Sequence, residues 1–186
     1  IDLCFLHVQG SGTVILPDHT EIQVSYAHKN GQPYQSIGKF LVDRGKISIE
    51  ESSLESIKTY LRKHPEEMMN ILSHNESYVF FRIVDNGPIG SLNVPVTSQR
   101  SIATDSSLFP KGALAFIRAR KPVIEEDGTI KKWVPFSRFV LNQDTGGAIK
   151  GTARVDLFCG KGRDAAIMAG HLKEEGELYF LVKKKE

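Results

Sequence analysis

The chain has 186 residues, 40% hydrophobic, 25% charged and 9% aromatic, a composition with enough apolar material for a sizeable core that excludes disorder and collagen. With 24 Lys and Arg against 22 Asp and Glu the formal charge is only +2, so no large footprint on nucleic acid is expected. The longest apolar runs, such as Leu178 to Val182, fall far short of the roughly 20 residues that a membrane-spanning helix needs.

The apolar, β-prone stretch Leu3 to Val8, broken at Gly10-Ser11-Gly12 and resumed at Thr13 to Leu16, predicts a hairpin. Alternation through Glu21 to Tyr26 predicts a strand with Ile22, Val24 and Tyr26 toward a core and Glu21, Gln23 and Ser25 toward water. After the turn at Asn30-Gly31-Gln32-Pro33, the stripe Ile37, Phe40, Leu41 predicts a helix that stops at Gly45. Ser52 with Glu55 three residues on has capping-box spacing, and Leu54, Ile57, Tyr60 and Leu61 give the next helix its apolar face. Pro65, whose missing N–H is an orphan at a helix start anyway, opens another helix, Glu66 to Leu72, ended by Asn75.

Beyond Ser77 strands prevail: Tyr78 to Val84, Leu114 to Ala119, Ser137 to Leu141, Arg154 to Cys159 and Leu178 to Lys183, with one helix at Asp164 to His171. The expectation is a mainly β chain with a few helices in two parts, residues 1–87 and 88–186, with the seam at Asp85 to Gly90. Cys4 and Cys159 are too few for a disulfide framework or a zinc site, and leave one bridge open. The start at Ile1 shows no targeting signal and suggests a processed or partial chain.

Several residues invite chemistry. Asp156-Leu-Phe-Cys-Gly160-Lys-Gly162 is a strand ending in Gly-x-Gly before a helix, as in an S-adenosylmethionine-dependent methyltransferase. Only 24 residues follow Gly162, too few for the remaining βα units of a doubly wound domain, so this stays a remote alternative. Asp105, Asp144 and Asp156 each sit by glycines, where an aspartate is by itself turn chemistry. Together they point further, because Gly146 and Gly147 allow a bulky ligand close to the main chain. Asp156, set in an apolar strand, is expected to be desolvated and to hold a proton near neutrality, as an acid for glycosidic cleavage must. The six histidines show no ligand spacing, so neither a metal nor another cofactor is expected. Ser11 lacks a full nucleophile elbow, and Lys183-Lys184-Lys185 reads as a solvated end.

Taken together, Val8-Gln9-Gly10-Ser11-Gly12, Tyr26-Ala27-His28-Lys29-Asn30-Gly31, Pro33-Tyr34-Gln35-Ser36-Ile37-Gly38 and Asn75-Glu76-Ser77-Tyr78-Val79-Phe80-Phe81 resemble the substrate-groove lobe of the membrane-bound lytic murein transglycosylase A family. The second half resembles that family's three-aspartate domain through Asp105 with Pro110-Lys111-Gly112, Asp144-Thr-Gly-Gly-Ala-Ile-Lys-Gly151, and Arg154-Val-Asp156-Leu-Phe.

The resemblance implies a double-psi β-barrel beside a smaller β-rich lobe, with a peptidoglycan strand in the groove between them. It implies cleavage of the β-1,4 bond from N-acetylmuramic acid to N-acetylglucosamine without water, leaving a 1,6-anhydromuramoyl end. By position, Asp156 matches the single acid/base, Asp144 and Asp105 the supporting aspartates. Gln9, Tyr26, Asn30, Tyr34 and Ser36 become candidate groove residues, with Gly146 and Gly147 near the scissile bond. Tyr26 and Tyr34 read equally as core aromatics, and Asn30-Gly31 as a turn. The family's upstream segment is expected to be missing, so that a second chain or that segment completes the barrel. A bacterial periplasmic location is implied, with outer-membrane association through a lipid anchor on the absent N-terminus. The rival from another class is a non-catalytic glycan-binding module.

Overall fold

The computed structural model describes residues 1–50 and 52–184. In chain order the elements are α1 (Asp2–Gln9), β1 (Ser11–Ile15), β2 (Glu21–Lys29), α2 (Ile37–Asp43), α3 (Leu54–Lys63), α4 (Pro65–Ser73), β3 (Val79–Val84), β4 (Ser101–Ala103), β5 (Leu114–Ile124), β6 (Ile130–Asp144), β7 (Asp156–Leu157), α5 (Arg163–His171) and β8 (Glu177–Phe180). They divide into two units, Ile1–Pro88 and Ile89–Glu186.

In the first unit, β1, β2 and β3 form an antiparallel sheet in that order. Beside it α2, α3 and α4 bury Ile37, Leu41, Leu61 and Ile71 in one cluster, with Ile57, Tyr60 and Met68 packed on it. Each helix starts by a different device. The Ser36 hydroxyl accepts the Lys39 N–H at 3.2 Å to open α2. Ser53 and Ser56 make a reciprocal capping box at α3, one residue later than the Ser52–Glu55 spacing predicts, because Ser56 returns its own hydroxyl to the Ser53 N–H at 2.9 Å. Pro65 begins α4 as expected, and that helix ends at Ser73, before Asn75.

The predicted strand at Leu3 to Val8 is a helix. Gly10, in the left-handed region at φ 75°, closes α1 by donating its N–H to the Leu6 carbonyl at 2.8 Å. Asp2 in the first turn meets Lys58 at 2.7 Å, and Ile1 and Cys4 pack on the helical cluster. A short apolar run fits either period, and these tertiary contacts select the helix.

The expected alternation of β2 also fails in part: Ser25 is buried and Tyr26 is 44% exposed. β2 is the middle strand, so Ser25 is flanked by Ser11 and Arg82, while a register shift between Tyr26 and His28 breaks the two-residue repeat. The reading of Tyr26 as a core aromatic is therefore overturned, and Tyr34 is exposed as well.

The second unit is built on a mixed sheet of order β7-β4-β6-β5-β8, in which β4 and β6 run parallel and the other pairs antiparallel. β5 and β6 are one long hairpin, turned at Asp127-Gly128, where the Asp127 carboxylate accepts the Thr129 N–H at 2.8 Å. Arg163 of α5 donates to the carbonyls of Glu126 and Asp127 and so ties that helix to the hairpin tip. One face of the sheet buries Ile102, Ala115, Ile117, Phe136 and Val140, with Val155, Leu157, Leu178 and Phe180 against them.

β4 has no counterpart in the sequence-based reading, and the predicted strand Arg154 to Cys159 shrinks to the two residues of β7. The sheet ends in β7 on one side and β8 on the other, so among the described residues it is open and no closed barrel forms. No helix among the described residues is long and apolar enough to cross a membrane. Lys183 and Lys184 are exposed, and Lys185 lies outside the described residues.

Candidate active site

The topology brings the three aspartates to one end of the second unit's sheet. Ala103, the last residue of β4, pairs with Asp144 on β6 to one side and with Asp156 on β7 to the other. Strands lie about 4.8 Å apart, so the two aspartate backbones stand roughly 10 Å from each other across Ala103. Asp105 follows two residues further along the chain that leaves β4.

Their environments differ. Asp105 is only 4% exposed. Its carboxylate accepts the Gly151 N–H at 2.9 Å, the Ser107 hydroxyl at 2.7 Å and the Ser107 N–H at 3.0 Å, with the Lys150 ammonium at 3.7 Å. Led by the Gly151 N–H, these donors hold the carboxyl down at about 2. Asp144 goes the other way. Burial raises its pKa above the usual carboxylate value, opposed by N–H donors from Thr145 and Ser91, the latter at 3.0 Å, and by the charge of Lys111.

The expectation that Asp156 is the desolvated carboxyl is overturned. Its side chain is 44% exposed and lies in the fork of Arg154, whose Nε and Nη2 each donate to one carboxylate oxygen at 2.9 Å. The strand that carries Asp156 is two residues long and at the edge of the sheet, which leaves the carboxylate open to water.

Between Asp144 and Asp156 runs the glycine loop. Thr145 donates its hydroxyl to the Thr104 carbonyl at 3.0 Å, Ile149 is buried, and Gly151 is held by Asp105. A Cβ on Gly146 would press on Ile149 at 3.0 Å, whereas one on Gly147 would meet nothing within 4 Å, so space lies open beside Gly147. Behind the loop, buried Asn142 joins Thr104, Pro110 and Gly112: its Oδ1 accepts the Thr104 hydroxyl at 3.0 Å, its Nδ2 donates to the Pro110 carbonyl at 2.9 Å, and its carbonyl accepts the Gly112 N–H at 2.7 Å. This gives Pro110-Lys111-Gly112 a place beside Asp144.

In the first unit the candidate residues have other occupations. Gln9 ends α1 and is exposed; it is the neighbouring Gly10 whose added Cβ would lie 3.9 Å from that of Tyr26. Asn30 ties two loops: Nδ2 donates to the Glu76 carbonyl at 2.8 Å, and Oδ1 accepts the Tyr78 N–H at 3.0 Å and the Gln32 N–H at 3.3 Å. Ser36 is the α2 cap. Tyr26 and Tyr34 alone among the five present exposed rings.

Arg154, Ser91, Ser107 and Lys150 belong to this site without having been singled out by sequence. For Arg154 a signal existed: residues two apart on an extended chain share a side, which puts a cation beside Asp156. The Gly160-Lys-Gly162 turn does precede a helix, but the sheet is mixed rather than doubly wound, which removes the structural basis for a nucleotide site. His64, Glu66 and Glu67 come within 4.8 Å of one another, with Glu67 already bound to Lys46 at 3.0 Å and to the Tyr60 hydroxyl at 3.1 Å. Both cysteines are free thiols, and burial pushes Cys159 up to about 11.

Residues 1–82 match the MltA specific insert domain and residues 100–182 the 3D domain. The fold and site are thus those of a chain that joins an insert lobe to a three-aspartate domain. A membrane-bound lytic murein transglycosylase A of Vibrio cholerae is 37% identical over 186 residues, covering 97% of this chain and 49% of that protein. A membrane-bound lytic murein transglycosylase from Agrobacterium tumefaciens superposes with a TM-score of 0.82 at 38% identity, over 96% of this chain and 49% of that one. Escherichia coli MltA with bound chitohexaose gives 0.81 at 31% identity, over 98% and 54%. Over nearly its whole length the chain is thus similar to membrane-bound lytic murein transglycosylase A proteins, and it spans about half the length of the curated relatives it matches.

Proposed function

We propose that this chain carries the chemistry of a peptidoglycan lytic transglycosylase, with Asp156 as the single acid/base. In this reading a bound glycan excludes the water that reaches Asp156 in the free chain, and the carboxyl, protonated in that complex, gives its proton to the leaving glycosidic oxygen as the bond from the muramoyl anomeric carbon breaks. The resulting carboxylate then takes the proton of the muramoyl 6-hydroxyl as that oxygen attacks the same carbon, forming the 1,6-anhydro ring. One carboxyl suffices because the substrate supplies the nucleophile; glycosidases that use water or a covalent intermediate set two carboxyls about 5–9.5 Å apart for separate roles. Attack within one sugar also gains from effective molarity.

The observation that carries the reading is the row Asp144, Ala103, Asp156. It sets one water-accessible carboxyl and one desolvated carboxyl at the same end of the sheet, on strands that flank a loop whose Gly147 leaves space for a ligand. Asp144 tunes the field at the site, and Asp105 fixes the loop through Gly151. Residues 1–87 serve as the glycan-binding lobe through Tyr26 and Tyr34, with Gln9, Asn30 and Ser36 supporting them, and residues 88–186 as a double-psi barrel completed by further strands.

The relatives' names describe membrane-bound murein enzymes, and one solved relative holds chitohexaose. On that basis we place the protein in the bacterial periplasm, acting on peptidoglycan glycan strands, with outer-membrane attachment through a lipid anchor borne elsewhere in the protein.

Mass spectrometry of purified peptidoglycan tests this, using the chain, the full product of its gene, and each with Asp156→Ala. Anhydro-muropeptides that vanish in the variant, with a rate loss of at least about 1000-fold, are expected. Reducing-end products would overturn the one-carboxyl mechanism. Silence from both proteins, with retained glycan binding, would make this a binding module.

A further inference from the structure

We propose that Arg154 is the positioning residue of the acid, a role that rests on reading Asp156 as acid/base. Val155 and Leu157 pack on the core of the sheet, so the alternation of an extended chain sends Arg154 and Asp156 to the opposite side together. There the planar guanidinium reaches both Asp156 and the loop. Nε donates to Oδ1 and Nη2 to Oδ2 of Asp156, each at 2.9 Å, and Nη1 donates to the Ala148 carbonyl at 2.8 Å. Arg154 therefore bridges the acid to the middle of the glycine loop.

The loop is fixed from its far side too, where Asp105 holds Gly151 and Lys150 lies 3.7 Å from the same carboxylate. A continuous chain of contacts thus runs from buried Asp105 through residues 148–151 to Arg154 and on to Asp156. An exposed side chain on a two-residue edge strand has little else to orient it. Among the described residues it is the fork that restrains rotation of Asp156 away from the scissile oxygen.

The fork has a second consequence for the reaction. As Asp156 passes its proton to the leaving oxygen, negative charge grows on the carboxylate, and a fixed guanidinium stabilises that charge. Since each carboxyl oxygen takes only one tooth of the fork, it can keep that bond and still turn its other lone pair, or its proton, toward the sugar. The Ala148 carbonyl keeps the guanidinium in place while that happens. A lysine would not replace it, because a single ammonium cannot bind two oxygens in a plane and reach a carbonyl at the same time.

The test uses Arg154→Gln, Arg154→Lys and Arg154→Ala in the full gene product, each checked for folding by its thermal transition. Expected are a kcat lower by about 10–100-fold with KM within about twofold, the size of effect that misplacing a reacting group produces. Arg154→Lys should recover little, whereas guanidinium ion at non-denaturing concentration should restore part of the rate to Arg154→Ala and none to Asp156→Asn. Without turnover, amide exchange at Ile149 and Gly151 should quicken in Arg154→Gln. Unchanged kcat, a rise in KM alone, or no rescue by guanidinium would overturn the proposal. Should the unaltered protein yield no anhydro product, the transglycosylase reading fails; loop exchange then decides whether Arg154 orders the loop, and unchanged exchange overturns that as well.

Discussion

Polar side chains do different work in the two units. In the first, the residues that stand out by motif are absorbed into the chain itself: Asn30 satisfies three backbone groups in two loops, and Ser36 caps a helix. In the second, three carboxyls at the end of one sheet are kept in unlike settings, one bound by N–H and O–H donors, one desolvated, one open to water beside a guanidinium. A short polar residue beside a turn serves the fold when backbone N–H groups surround it. It becomes available for chemistry when the fold withholds those donors. The contrast between Asp105 and Asp156 makes the point within a single site.

The largest effect expected on the scaffold side of this comparison comes from Leu41, which is fully buried in the helical cluster. Leu41→Ala should lower stability by about 2–5 kcal/mol, read from urea unfolding, with quickened amide exchange in α3 and α4 locating the loss. A cost under about 1 kcal/mol would mean that the helices are held by something other than this core.

A smaller effect is expected at Asn30. Asn30→Ala removes partners from the Tyr78 and Gln32 N–H groups and the Glu76 carbonyl, costing about 1 kcal/mol because water can reach these groups. If the chain binds chitohexaose as the proposed function requires, its affinity measured calorimetrically on the folded protein should be unchanged. Weakened binding at full stability would make Asn30 a ligand contact and blur the distinction between the units.

The smallest and most diagnostic effects are in pH dependence, where Asp105 and Asp144 should carry opposite signs. Asp105, held at about 2 in the folded chain, contributes stability above its unfolded value of roughly 4, and that contribution is lost as pH falls from about 4 to about 2. Asp144 is raised on folding, so its ionisation counts against the folded state increasingly as pH climbs past about 4. Asp144→Asn should accordingly stabilise at neutral pH, by up to about 1 kcal/mol, and change nothing well below pH 4, while reducing turnover. Thermal transitions followed across pH would show it, and a destabilised Asp144→Asn at neutral pH would contradict the desolvated state.

Much of the scaffold was legible in the sequence because it obeys local rules. The stripe through Ile37 and Leu41, the proline that opens α4 and the strand at Val79–Val84 depend on their own residues. α1 was not legible, since its choice of helix over strand rests on contacts with residues more than 50 positions away, such as Lys58. Nor was β4, whose three residues are all buried and leave no alternation to read.

Among the described residues the sheet is open, where the family resemblance implies a barrel that further strands complete, and its edge strands are what composition could not reveal. For the site, motif position alone drew Asp105, Asp144 and Asp156 together. Which of them burial raises and which its donors lower could not be read, because that balance depends on strand order and on donors such as the Ser91 and Gly151 N–H groups.

The register of β4 against β6 skips one residue: Ile102 pairs with Asn142, and Ala103 with Asp144, leaving Gln143 over. Side chains along a strand alternate between faces, so this supernumerary residue determines the side on which the following aspartate emerges. Because the extra residue breaks the two-residue repeat, Asn142 and Asp144 serve opposite faces of the sheet, one opposite Ile102 and the other opposite Ala103, although only one residue separates them.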